Sequence, residues 1–265
     1  MGKIMKYEFR SMFRLFLPMW LGILALSLVN RFTVKLQFGD EPVLNFLTGL
    51  TMFLYVVGIL AVVIVAFIFV ILRFYRGVLR DEGYLTMTLP VSVDAVVWGK
   101  ALAGWILMVL TTVVCIASGA VLLLTSEAIE VLQLSWDRLL ELIGSTTPTL
   151  IVVQVVLSAL LSTLYNILFL YLAMAIGHLA RKHRVGASVL AYVVMSTVLS
   201  TLYNTFLTPV ILNFMMGYGF DRMTNQEIVA MISNGLWIYL AIVVVTCAVF
   251  YVPTRIILDK KLNLE

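Results

Sequence analysis

An all-α integral membrane protein with six transmembrane helices is the fold class this sequence predicts, and three observations predict it. Hydrophobic residues fill 62% of the 265 positions and charged residues only 12%, whereas a soluble domain is about a quarter charged. The mean hydropathy is +1.07. The apolar residues are gathered into six runs, 17–34, 44–72, 101–124, 149–176, 187–211 and 236–252, each at least the roughly 17 residues a helix needs to cross a bilayer. The chain reads as a single transmembrane domain over 1–265.

Residues 1–16, MGKIMKYEFRSMFRLF, are too polar to span, but a helical period sorts them into two stripes. Lys3, Lys6, Arg10 and Arg14 share one side and Met5, Phe9, Met12 and Phe16 another. That is the pattern of an amphipathic helix lying in the membrane surface with its cations toward anionic headgroups. Ala25 and Ser27 imitate a signal-peptidase site, but cleavage there would leave five spans and conflict with the charge bias. The first span follows at 17–34, and a short turn with Lys35, Gly39, Asp40, Glu41 and Pro42 leads to the second.

The second and third spans are separated by the longest polar interruption expected on the inner face, residues 73–100, RFYRGVLRDEGYLTMTLPVSVDAVVWGK. Helix-to-helix joints usually take about 2 to 8 residues, and longer loops tend to be functional. Gly83 permits a tight bend, Pro90 ends the element, and Ser92 with Asp94 supplies a cap and a first-turn acid for the next helix. The expectation is that another protein pushes on this loop.

Orientation follows from lysine and arginine. All of the 18 except Arg31, Lys35, Arg138 and Arg222 fall in the N-terminal segment, the 73–100 loop, the 177–186 loop and the C-terminal tail. Basic residues mark the cytoplasmic side, so both termini are expected in the cytoplasm of a multi-pass protein of the cell membrane. On the outer face, residues 125–148 are acidic, carry Trp136 and are expected to form short interfacial helices. In 213–235, Thr224 followed by Glu227 makes a capping box for a helix through Met231 that ends near Gly235.

The spans hold no Asp, Glu, His, Lys or Arg in their interiors. Proton-coupled transport, intramembrane hydrolysis and voltage sensing need ionisable groups at membrane depth, so these classes are disfavoured and the chain is read as non-catalytic. His178 and His183 lack partners at metal-ligand spacing, and Cys115 and Cys247 lie in separate spans as small hydrophobes. Gly99-Lys100 resembles the end of a nucleotide-binding loop, but Asp94 and Ala101 occupy the positions of its first glycine and its hydroxyl residue. No cofactor is expected on this chain, and energy would have to enter from a partner. Nucleic acid is not expected as one.

Mild polarity does occur at helical spacing. Gln154, Ser158, Ser162 and Asn166 follow at steps of four in the fourth span, as do Ser196, Ser200, Asn204 and Thr208 in the fifth, and the hexapeptide LSTLYN occurs at 161–166 and 199–204. Such residues let helices pack closely and hydrogen-bond, or they line a polar path for cargo. Both readings stay open, and the repeat is read as similar answers to a similar packing demand.

The central loop carries a resemblance. Tyr75, Arg76, Asp81-Glu82-Gly83-Tyr84-Leu85, Thr88-Leu89-Pro90-Val91-Ser92 and Lys100 look like the first inner loop of the six-helix, export-type membrane subunits of ATP-binding cassette transporters, the ABC type-2 permeases. Lys6-Tyr7-Glu8-Phe9-Arg10 at the start and residues 260–265 at the end extend it over the whole chain. Gly99 stands where a serine would be expected. The resemblance implies a permease subunit that pairs with a second copy or a paralogue and with cytoplasmic ATPase subunits, which bind ATP and magnesium. It also implies a coupling helix over about 78–87, with Asp81, Glu82, Gly83, Tyr84, Leu85 and Pro90 at the ATPase groove, and a second contact at Arg181, Lys182 and His183. Spans without charges suit hydrophobic or amphipathic cargo such as a peptide antibiotic, drug or lipid. The alternative is a sensor or immunity subunit that binds such a molecule without transporting it.

Overall fold

The computed structural model describes residues 2–35, 42–79, 92–124, 126–143, 147–180, 183–217 and 224–260. Eight α-helices and two π-turns account for nearly all of them: α1 Gly2–Lys35, α2 Pro42–Phe74, a π-turn Tyr75–Leu79, α3 Val93–Leu123, α4 Ser126–Ile143, α5 Thr147–His178, α6 Arg184–Leu202, a π-turn Tyr203–Leu207, α7 Thr208–Gly217 and α8 Asn225–Lys260. Six helical stretches are long and apolar enough to cross a membrane: Phe9–Thr33, Val43–Leu79, Val93–Leu123, Thr149–His178, Arg184–Val210 and Gln226–Asp259. An all-helical, multi-pass membrane protein is therefore the architecture. The described residues cluster into two compact units, one of Met1–Phe74 and Ala95–Leu134, the other of Tyr75–Asp94 and Ser135–Glu265.

In the first unit α1, α2 and α3 pack through one buried stripe on each helix. On α1 the stripe is Met12, Phe16, Trp20, Ile23, Ser27 and Asn30, the three-and-four spacing that keeps one face inward. Ser27 donates within its own helix, to the Leu24 carbonyl at 2.8 Å, while other polar groups of the unit bond across helices. Trp20 Nε1 donates to Thr111 Oγ1 at 3.3 Å, Asn30 Nδ2 to the Thr51 carbonyl at 3.2 Å, and the Tyr55 and Ser118 hydroxyls bond at 3.0 Å. Arg31 donates to the carbonyls of Val121 at 2.7 Å and Leu124 at 3.2 Å, groups that a helix end leaves without an internal donor. Pro42 opens α2, a position where a missing N–H costs nothing.

α1 runs without interruption through residue 16, where a boundary between surface helix and first span was expected. Met12 and Phe16, assigned from sequence to a lipid-facing stripe, are buried. Phe16 stands edge-on to Phe69, with ring centroids 5.4 Å apart, so the face that pattern reading turned to the bilayer is turned to α2.

In the second unit α5 is central. Its C-terminal half, from Ile167 to Ala175, is buried at almost every position, with α6 antiparallel on one side and α8 parallel on another. Phe169 meets Tyr192 of α6 at 5.1 Å and Phe250 of α8 at 5.2 Å. Pro209 explains the π-turn before α7: it offers no N–H to the carbonyl one turn back and its ring crowds that turn. The Tyr203 carbonyl accepts both the Thr208 N–H and, at 3.3 Å, the Thr208 hydroxyl.

Two further expectations change. Residues 126–143 form one 18-residue helix rather than several short ones. At 224–227 the Glu227 carboxylate accepts from both the Thr224 N–H (2.8 Å) and hydroxyl (2.9 Å), which starts α8 where the capping pattern placed it. That helix then passes Gly235 and continues to Lys260 as the last span. Gly235 ends nothing, because inside a membrane-length helix every backbone group is already paired within the segment.

Candidate coupling region and the residues that anchor it

Asp81, Glu82, Gly83, Tyr84, Leu85 and Pro90 lie outside the described residues, as do Arg181 and Lys182 and the side chains of Lys3 and Lys6. The two flanks of the central loop are described, and both belong to the unit built on α5 and α8.

The upstream flank is the π-turn Tyr75–Leu79. Gly77, Val78 and Leu79 are buried, and Tyr75 sets its ring edge-on to His178 at the end of α5, with centroids 6.4 Å apart and planes at 78°. A π-turn places one extra residue in a helical turn and often marks a functional position. The downstream flank is Asp94, in the first turn of α3. Its Oδ1 receives Arg255 Nε at 2.9 Å and a short hydrogen bond from the Tyr251 hydroxyl. Tyr251 and Arg255 are four apart on α8, hence on one face. Each side of the loop therefore ends on a different helix of one unit, α5 upstream and α8 downstream.

The second basic segment sits beside the first anchor. Arg184 Nη1 lies 3.3 Å from His178 Nε2, while the buried His178 Nδ1 has no hydrogen-bond partner among the described residues. His183 holds φ 56° and ψ 46° as it begins α6, a left-handed conformation that branched side chains resist. His183→Val is expected to destabilise the chain by about 1 to 2 kcal/mol and His183→Gly to leave it unchanged or better; thermal unfolding of the two variants in detergent checks the order. Gly177 is a point of close backbone approach in the hairpin, since a Cβ there would overlap the backbone nitrogen and α-carbon of Ser188.

The two polar series differ in their hydrogen-bond partners. Gln154 and Ser158 are buried on the seam between α5 and α8, where Gln154 Nε2 donates to Ser233 Oγ at 3.0 Å and Ser162 bonds Tyr239 at 2.8 Å. Asn166 donates to its own helix, at the Ser162 carbonyl, 2.7 Å away. Ser196 donates to the Val193 carbonyl (2.9 Å) and Asn204 to Ser200 (3.4 Å), and α6 has no buried residue. The first LSTLYN copy bonds α8 through Ser162, and in the second Tyr203 opens a π-turn.

Sequence reasoning passed over Tyr251, Arg255 and the depth of Lys100. The four-residue spacing of Tyr251 and Arg255 was visible, but their partner is 157 residues from Tyr251. Lys100 was placed at the end of the loop; α3 begins seven residues earlier, at Val93, and Lys100 is buried within it at 9% exposure. Among the described residues no group of three His, Cys, Asp or Glu side chains could hold a metal ion. No protein-family model, no curated protein and no solved structure matches this chain.

Proposed function

We propose that this chain is the membrane subunit of an ATP-binding cassette exporter of the type-2 permease kind, with both termini in the cytoplasm of a cell whose plasma membrane it spans. Separate ATPase subunits press on the coupling element read over about 78–87, beyond Val78 and Leu79, which are buried in the π-turn, and a second copy or paralogue completes the path for a hydrophobic or amphipathic cargo. The observation that carries the reading is the anchoring of that segment: it leaves from Tyr75 against His178 and returns through Asp94 to Tyr251 and Arg255. A segment tied at both ends to one unit hands a push to α5 and α8 together, which a solvated connector has no need to do. Residues 1–16, with Lys3, Lys6, Arg10 and Arg14 at helical spacing, lie toward anionic headgroups in this reading.

Two experiments test it. Mild-detergent purification of the tagged chain from its native membrane is expected to bring down an ATPase subunit of about 25 to 35 kDa, one or two domains of ordinary size, in near-stoichiometric amount. Recovery of the chain alone after crosslinking would count against the proposal. Glu82→Ala and Tyr84→Ala are expected to release that subunit or to separate ATP hydrolysis from transport while the six spans stay inserted. Unaltered assembly and transport in both variants would remove the coupling assignment.

A further inference from the structure

At the start of α1, Arg10, Ser11, Arg14 and Leu15 line a cleft of about 550 Å³. Arg10 and Arg14 are one helical turn apart, and among the described residues neither pairs with a carboxylate. A third guanidinium comes from another helix. Arg73, in the last turn of α2, donates from Nη1 to Ser11 Oγ at 3.1 Å, and it is steered there by lying over the Phe69 ring, 5.8 Å from its centroid. Phe69 is itself held against Phe16. The cleft is lined from α1, and one lining residue, Ser11, is tied to Arg73 of α2 above an aromatic footing.

Its level in the fold matters. Arg10 and Arg14 lie in the first turns of the span Phe9–Thr33, and Arg73 lies near the end of the span Val43–Leu79. The cleft therefore sits where two apolar helices leave the hydrocarbon layer. From it an exposed lane of Leu15, Pro18, Gly22 and Ala25 descends α1, and a Cβ at Gly22 would meet nothing within 4 Å. Guanidinium forks match phosphate oxygens, and an apolar lane directly below matches an acyl chain.

The geometry points to a binding site for the phosphate of an anionic phospholipid, held by Arg10, Arg14 and Arg73 with an acyl chain along the lane. The site does not depend on whether the chain transports anything. It is more than a smear of positive charge attracted to the membrane surface, because it asks for a headgroup seated in one cleft.

The test is the melting temperature of the purified full chain in detergent, with phosphatidylglycerol, phosphatidylcholine or inorganic phosphate added, and no nucleotide or ATPase present. Phosphatidylglycerol is expected to raise it in a saturable way and the other two to leave it unchanged. In the Arg10→Gln, Arg14→Gln double variant the lipid concentration needed is expected to rise at least tenfold, whereas the Arg10→Lys, Arg14→Lys variant, which keeps charge but loses the forks, falls between. Should the glutamine variant elute as aggregate, Leu15→Trp fills the cleft with all three arginines in place and is expected to show the same loss. An equal rise with phosphatidylcholine, or an unaltered phosphatidylglycerol response in the Gln and Trp variants, overturns the site. A rise with inorganic phosphate alone overturns the lipid assignment in favour of a soluble phosphate ligand.

Discussion

Gly177→Ala is expected to unseat the hairpin of α5 and α6 and to lower the stability of the purified chain by about 3 kcal/mol, the upper part of the usual range for overpacking. The added methyl would land on the backbone of Ser188, and backbone cannot swing aside as a long side chain does. The start of α6 has to retreat, which pulls Tyr192 from Phe169 and Arg184 from His178. The matched control is Gly235→Ala in α8. A Cβ there meets open space, so the same chemical change is expected to stabilise the helix by up to about 1 kcal/mol, alanine's advantage over glycine in a helix. Melting temperatures of the two variants are therefore expected to move in opposite directions. A Gly177→Ala protein that melts with the wild type would show that the two helices are not in backbone contact, and a destabilised Gly235→Ala protein would show that α8 is not continuous through that residue.

That pair also marks how far pattern reading reaches. The six spans were legible because membrane insertion is decided by summed hydropathy over a window, a property of the sequence alone. Thr224 and Glu227 were legible because a helix start is local chemistry. Gly235 was misread as a stop because the signal for a cap is glycine after an apolar run, and the same residue is tolerated mid-helix when the rest of a long segment supplies the hydropathy. The split of α6 from α7 was half visible, in Pro209. The π-turn at Tyr75–Leu79 was not: Gly77 apart, its residues carry no helix-breaking chemistry, and its place is set by burial against distant parts of the chain. The boundary of α3 erred in the same direction, since Val93 to Gly99 is too short an apolar stretch to stand out from a polar loop, although its helix buries Lys100. For the candidate site the sequence offered the motif, and the structure adds the anchors on either side of it. Those anchors join residues far apart in the chain, which no local pattern encodes.

The larger functional effect is expected at the downstream anchor. Asp94→Ala removes the acceptor for both Tyr251 and Arg255 and the acid from the first turn of α3. The ion pair is part-exposed, with 52% of the Arg255 side chain and 36% of the Asp94 side chain open, so it is worth no more than about 1 kcal/mol. The hydrogen bond from the Tyr251 hydroxyl to a carboxylate is worth about 1.5 to 3 kcal/mol. Asp94→Ala is thus expected to cost roughly 2 to 3 kcal/mol, Asp94→Asn less, because the Tyr251 donor keeps an acceptor, and Arg255→Ala least. If the 80–91 segment delivers a push to α8, stability is only part of the loss. In a complex reconstituted with its ATPase, Asp94→Ala would hydrolyse ATP and fail to move cargo, because the downstream end of the segment would no longer hold the last span. The exchanged pair Asp94→Arg with Arg255→Asp restores a link of the same length but loses the Tyr251 bond and places a cation at a helix start, where the dipole disfavours it. Transport is expected to return in part in that double variant, and in neither single reversal. Full transport by Asp94→Ala, or no better transport in the exchanged pair than in Arg255→Asp alone, would show that the anchor is structural and that force enters the membrane helices elsewhere.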